Sequence, residues 1–267
     1  MRRLIFLTLV ATAAANDSAI NSGGHGPSPL GEFQGGESVI RMVSERIDIK
    51  FGKEESEVTC RFTFRSTKKE GDAKQTVGFP DFLDTETDKG QIRDLKTFID
   101  GQPVEAKKVR GWFETGQGVT PKSGLGEPPQ DSLERYQKAD FFVVDVVFPP
   151  GKDVNIERRY IADNGGNVDR CQFFRYTTHT GAVWQGTIGT AEFHVKLDGW
   201  TVDELAFEDG KQKRSPLLQY GPWCEPNLSE WKVVSPTELT MTWKDFEPAV
   251  HQTRRGILLS TWSQQPD

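Results

Sequence analysis

The sequence predicts an all-β chain of two sandwich-like units, the first carrying a long excursion rich in glycine and proline. Three observations carry this prediction. Apolar and polar residues alternate with a period of two in several segments, as in a sheet with one core face and one wet face. Turn formers punctuate these segments at short intervals, supported by 26 Gly and 15 Pro. No helical segment alternates with the strands, which excludes a βαβ rhythm. A length of 267 residues suffices for one large β domain or two ordinary ones.

The chain opens with two arginines and a short apolar run, Leu4 to Ala15, that ends in small residues. This is the pattern of a secretory signal peptide over residues 1–15. The expected location is therefore secreted or periplasmic. Residues 16–36 follow as a flexible leader of Gly, Pro and Ser, with His25 as a lone loop histidine. The first unit is expected over 37–150 and the second over 151–267.

From Ser38 a strand pair is expected. In its second member Val58, Cys60, Phe62 and Phe64 face one way, and Thr59, Arg61, Thr63 and Arg65 the other. Pro80 is expected to end the strand that follows. Asp100-Gly101, between two alternating stretches, predicts a two-residue hairpin. Residues 111–130 form the excursion, and Asp131 is a candidate cap for a short helix. ADFFVVDVVF, ending at Pro149-Pro150-Gly151, is the strongest strand signal in the chain. VNIERRYIA, CQFFRYTT, TIGTAEFHVKL, ELAFE, TELTMTW and ILLSTW continue the series. Gly181 suits a turn and Gly189 a bulge or close strand approach.

Charge and motifs exclude more than they assign. There are 33 basic and 39 acidic residues, a net charge of −6. Loss of the leading segment removes Arg2 and Arg3 and makes the mature chain more acidic, so nucleic acid is not an expected partner. The serine-elbow, P-loop and HExxH motifs are absent from the sequence. Glycan hydrolysis by two facing carboxylates stays open as an alternative, because so many acids single out no pair. No cofactor is implied, and the chain is read as a non-enzymatic module. Asp81, Asp84, Glu86 and Asp88 form an acidic turn that could hold Ca²⁺ in a calcium-stabilised adhesion domain, although the spacing fits no calcium loop. A solvated turn is the simpler reading.

Of the three cysteines, Cys60 reads as a buried hydrophobe inside a strand, and Cys171 with Cys224 as the candidate disulfide of an exported protein. Six of the seven tryptophans follow residue 180 and read mainly as core. Trp112, Trp184 and His179 are the candidate binding residues, for an envelope protein or a glycan.

Four stretches carry a family resemblance. They are Asn16-Asp17-Ser18, Ile40-Arg41-Met42-Val43-Ser44-Glu45, Val77-Gly78-Phe79-Pro80, and the block from Tyr176 to Gly189. In this order the chain resembles an uncharacterised, mainly β family of secreted bacterial proteins, a domain of unknown function. The resemblance implies a β fold outside the cytosol and transfers no chemistry. The chain departs from the pattern in its glycine-rich leader and at His179, where a long aliphatic or basic residue is more typical.

Overall fold

The computed structural model describes residues 23–25, 28–30, 38–83, 90–114, 123–127, 136–166, 171–210, 223–247 and 256–262. Alternation becomes strand almost throughout. In chain order the strands are β1 (Gly23–His25), β2 (Ser28–Leu30), β3 (Ile40–Phe51), β4 (Glu55–Ser66), β5 (Ala73–Phe82) and β6 (Ile92–Ile99). Then come β7 (Gln102–Val104), β8 (Lys107–Glu114), β9 (Ser123–Leu125), β10 (Tyr136–Phe148), β11 (Asp153–Asp163) and β12 (Gly165–Gly166). The last are β13 (Gln172–Thr177), β14 (Ile188–Leu197), β15 (Lys232–Ser235), β16 (Glu238–Phe246) and β17 (Gly256–Ser260). Among the described residues no helix is long and apolar enough to cross a membrane.

An eight-stranded sheet, in the order β15-β16-β14-β3-β4-β11-β6-β7, is the floor of the molecule. Its inner face is covered side by side by two smaller sheets. The five-stranded sheet β2-β5-β10-β8-β9 covers one part: Phe79 of β5 meets Tyr160 of β11 at 5.5 Å, and Phe148 of β10 meets Phe64 of β4 at 6.0 Å. The sheet of β1, β13, β12 and β17 covers the other, where Tyr176 of β13 meets Phe193 of β14 at 6.5 Å. One continuous core joins both parts. The line between residues 150 and 151 therefore runs through a shared sheet: β3 and β4 lie before it, β11, β14 and β16 after it, and all five are neighbours.

In β4 the two predicted faces are realised, with Val58, Cys60, Phe62 and Phe64 buried. The Asp100-Gly101 hairpin also forms, with both residues at positive φ (48° and 78°) and Ile99 opposite Gln102. Gly189 lies against the point where β3 shifts register between Met42 and Ser44. A Cβ there would stand 2.5 Å from the Val43 carbonyl oxygen, so the bulge needs a glycine partner. Gly181 is constrained differently from the expected turn: it sits in a 3-10 turn over His179–Val183, where a Cβ would meet Ile188 at 2.8 Å.

Several expectations are corrected. Two pieces of the leader are strands, β1 pairing with β13 and β2 with β5. Pro80 lies inside β5, opposite Phe141. Among the described residues β2 pairs with β5 only from Thr76 to Gly78, so no described strand flanks Pro80 on that side and its missing N–H breaks no described ladder bond. ELAFE forms no regular strand: Val202–Glu204 is a 3-10 turn, and Leu205 makes a single bridge to Thr261. The segment carrying the Asp131 helix signal lies outside the described residues, as does the signal-peptide segment.

The Cys171–Cys224 disulfide is absent, and all three cysteines are buried thiols. Topology explains this. β17 pairs with β13 along one edge and, through Leu258, with Glu225 along the other. The backbones carrying the two cysteines thus lie two strand spacings apart, roughly 9–10 Å. A disulfide needs Cα atoms within about 7 Å. Cys224 instead exchanges hydrogen bonds with the Ser260 backbone, at 3.1 Å from N–H and 3.2 Å to the carbonyl. Burial pushes its thiol up to about 12, against donation from the Ser260 backbone.

The core also holds polar groups. Glu45, the first inward residue after the β3 bulge, lies between Phe62 and Ala191 and is 2% exposed. Its Oε1 has no hydrogen-bond partner, and burial alone raises its pKa to about 8. Burial raises the Cys60 thiol and the Tyr160 and Tyr176 hydroxyls, and neither hydroxyl has a hydrogen-bond partner among the described residues.

Three outcomes follow from this packing. A thiol reagent should titrate no cysteine in the native chain and three in denaturant without reductant; two fewer would restore the disulfide. Gly189→Ala should cost about 1–3 kcal/mol in urea unfolding through overpacking of the bulge, and an unchanged midpoint would contradict the close approach. Glu45 is protonated in the folded chain and ionised in the unfolded chain between its ordinary value of 4.5 and about 8. Its contribution is full below 4.5 and should fall by about 1.4 kcal/mol per pH unit as pH rises through this window. Urea midpoints at pH 5, 7 and 9 should show this fall in the native chain and lose it in Glu45→Gln; parallel curves would contradict it.

Candidate binding face

The outer face of the eight-stranded sheet is covered by nothing among the described residues, and its side chains form an ordered charge lattice. Register places them. Thr242, Glu192, Arg46, Arg61, Glu157 and Phe98 stand opposite one another across β16, β14, β3, β4, β11 and β6. The next outward row is Thr240, His194, Asp48, Thr59, Arg159 and Lys96. Each row exists because the period of two sends every second residue of six strands to the same side.

Carboxylates of the two rows bridge neighbouring guanidiniums. Asp48 accepts from Arg46 at 3.1 Å and also from Arg61. Glu157 accepts from Arg61 at 2.8 Å and from Arg159 at 2.7 Å. Arg159 in turn lies over the Phe98 ring at 4.8 Å. The hydrogen bond to Asp48 raises Arg46 above the usual arginine range, against a small burial effect. Arg65 and Asp153 extend the lattice with two bonds of 2.6 and 2.9 Å, which raise the arginine and lower the acid.

These pairs add little to stability, since each exposed pair is worth about 0–1 kcal/mol. Their effect is positional: a guanidinium held by two carboxylates keeps one orientation. Over the lattice lies an open depression of about 700 Å³, lined by Arg46, Arg61, Phe98, Asn155, Glu157 and Glu192. A second, of about 980 Å³, continues it over Asp48, Lys50, Thr59, Lys96 and His194. Fixed donors and acceptors beside one ring can hold a ligand that both donates and accepts hydrogen bonds.

The residues singled out from sequence lie elsewhere and are not brought together. Trp184 is 3% exposed and packs on Phe64 at 4.6 Å, inside the core. Trp112 sits in β8 of the five-stranded sheet, half-buried, its indole so close to Gly124 that a Cβ there would stand 2.6 Å from the ring. The backbone of His179 belongs to the 3-10 turn, and its side chain lies outside the described residues. Asp81 points inward: its Oδ1 accepts the N–H groups of Gln91 and Ile92 at 2.8 and 3.3 Å and ties down the start of β6. Burial raises its pKa to about 6 against those bonds. Asp84, Glu86 and Asp88 lie outside the described residues.

Alternation makes the outward residues of β4 legible in the sequence but gives them no function. The missing information was register. Arg46, Arg61 and Glu157 are far apart in the chain, and only pairing β3 with β4 and β4 with β11 makes them neighbours.

No protein-family model and no curated protein matches this chain. Among solved structures, an M1 zinc metallopeptidase from Deinococcus radiodurans aligns with a TM-score of 0.37 and 8% identity, over 84% of this chain and 42% of that one. A candidate nutrient binding protein from Legionella pneumophila aligns with a TM-score of 0.64 and 19% identity, over 92% of this chain and 73% of that one. With the Legionella protein the chain shares a fold over nearly its whole described length.

Proposed function

We propose that the chain is an exported, non-enzymatic binding module of the cell envelope or extracellular space, and that the outer face of its large sheet is the ligand surface. The single observation behind this reading is the charge lattice of Arg46, Asp48, Arg61, Glu157 and Arg159 beneath an open depression. Export is supported by the Met1–Ala15 pattern. The likeness to a candidate nutrient binding protein agrees with a binding role for this fold.

The favoured ligand is a polyhydroxylated envelope glycan. Hydroxyl groups donate and accept, so they match alternating guanidiniums and carboxylates, and the Phe98 ring offers a stacking surface for a sugar. An envelope protein segment of mixed charge is the other outcome of the test.

The test is calorimetric titration of solubilised envelope glycans into the native chain and into Arg61→Ala and Glu157→Gln. Both variants should keep the urea midpoint within about 1 kcal/mol of unfolding free energy, because the pairs are exposed. Both should weaken binding at least tenfold. Absence of saturable glycan binding, or equal binding by the variants, would contradict the glycan reading.

A further inference from the structure

Arg158 is an anomaly. It lies on β11 with 0% exposure, facing inward between the eight-stranded and five-stranded sheets. Its Nη1 donates to Thr97 Oγ1 at 2.7 Å, its Nη2 reaches the Phe142 carbonyl at 3.4 Å, and its guanidinium covers the Phe79 ring at 5.6 Å. Its Nε–H has no acceptor, and no carboxylate pairs with it among the described residues. Buried charges are normally paired, because leaving water costs several kcal/mol per ion.

Both hydrogen-bond partners of Arg158 belong to the wall of one cleft. This cleft, of about 550 Å³, opens at the side of the sandwich where β6 and β7 face β8 and β10. Its lining combines an apolar wall of Ile92, Leu95, Phe98, Val104, Ala106 and Phe142 with an almost equal number of polar and charged residues. Thr97, 4% exposed, is at its inner side. The cations and anions of the rim offset one another. Lys108, over the Phe142 ring at 5.5 Å, is held by Asp140 at 2.9 Å. Arg93 is held by Asp163 at 2.9 Å and by Glu55. Lys96 is on the rim beside the acids Asp94 and Glu105. The unmatched charge is therefore the guanidinium directly behind the apolar wall.

We propose that this side cleft is a binding site for a small apolar anion, an aliphatic carboxylate, whose chain lies on the apolar wall and whose charge faces Arg158. A field from one buried cation weakens slowly in a medium poor in water, so the guanidinium acts through the thin layer of Thr97 and Phe142. The cleft adjoins the outer-face lattice, sharing Phe98 and Lys96 with its depressions, and its test turns on Arg158 and Ala106, which line neither depression.

The probe is octanoate, titrated calorimetrically against octanol and octylamine as neutral and cationic controls. One octanoate should bind per chain, at least tenfold more tightly than either control. Arg158→Met, which replaces the buried ion with an apolar side chain of similar length, should remove that preference. Ala106→Trp, which fills the cleft from its rim and leaves Arg158 in place, should abolish binding with the urea midpoint retained. Should Arg158→Met fail to fold, Ala106→Trp and the charge preference of the native chain decide. Equal affinity for octanoate and octanol, no octanoate binding, or octanoate binding that survives Ala106→Trp would overturn the proposal.

Discussion

The constraint on which the molecule depends is the common phase of three central strands. β3, β4 and β11 each send every second residue inward, and their registers align those residues in rows. A slip of one residue in β4 would expose Phe62 and Phe64 and bury Arg61 and Arg65. The core and the charged face are therefore two sides of one pattern. Neither can change without the other, and the bulge at Val43 keeps the two ends of β3 in phase with the same core.

The covering layers explain why so large a sheet carries two smaller ones. One face of eight strands is wider than a five-stranded sheet, so β13 and β17 complete the cover. Large aromatics fill the space between layers: Phe64, Phe79, Phe148, Phe193 and Trp243 are all at most 3% exposed. Against this background the inward polar groups stand out. Glu45 and Arg158 are both buried on the same sheet face and do not pair with each other. Two apolar residues of similar volume would give a core without that desolvation cost. The fold therefore carries polar groups that its packing does not require.

Much of the fold was legible in sequence because alternation is a local signal. The faces of β4, the hairpin at Asp100-Gly101 and the close approach at Gly189 each follow from a few adjacent residues. What failed was long-range. The boundary at 150/151 rested on Pro149-Pro150-Gly151, which is a turn between β10 and β11 and leaves the large sheet continuous across it. The Cys171–Cys224 pair assumed proximity that β17 prevents by lying between them. Residue type alone does not separate a core aromatic from an exposed one, and Trp184 lies in the core against Phe64. The charge lattice is invisible in sequence for the same reason: its members come from three strands, β3, β4 and β11, and register is a property of the assembled sheet.

The central claim is that one sheet unites both halves of the chain and so fixes both of its faces. Native-state hydrogen exchange across a denaturant series tests it directly. Amides of β4, β11 and β14 should open with a common free energy and a common denaturant dependence, as parts of one cooperative unit. If β14 and β16 opened at lower free energy while β4 stayed protected, the halves would be separate units and the account would fail.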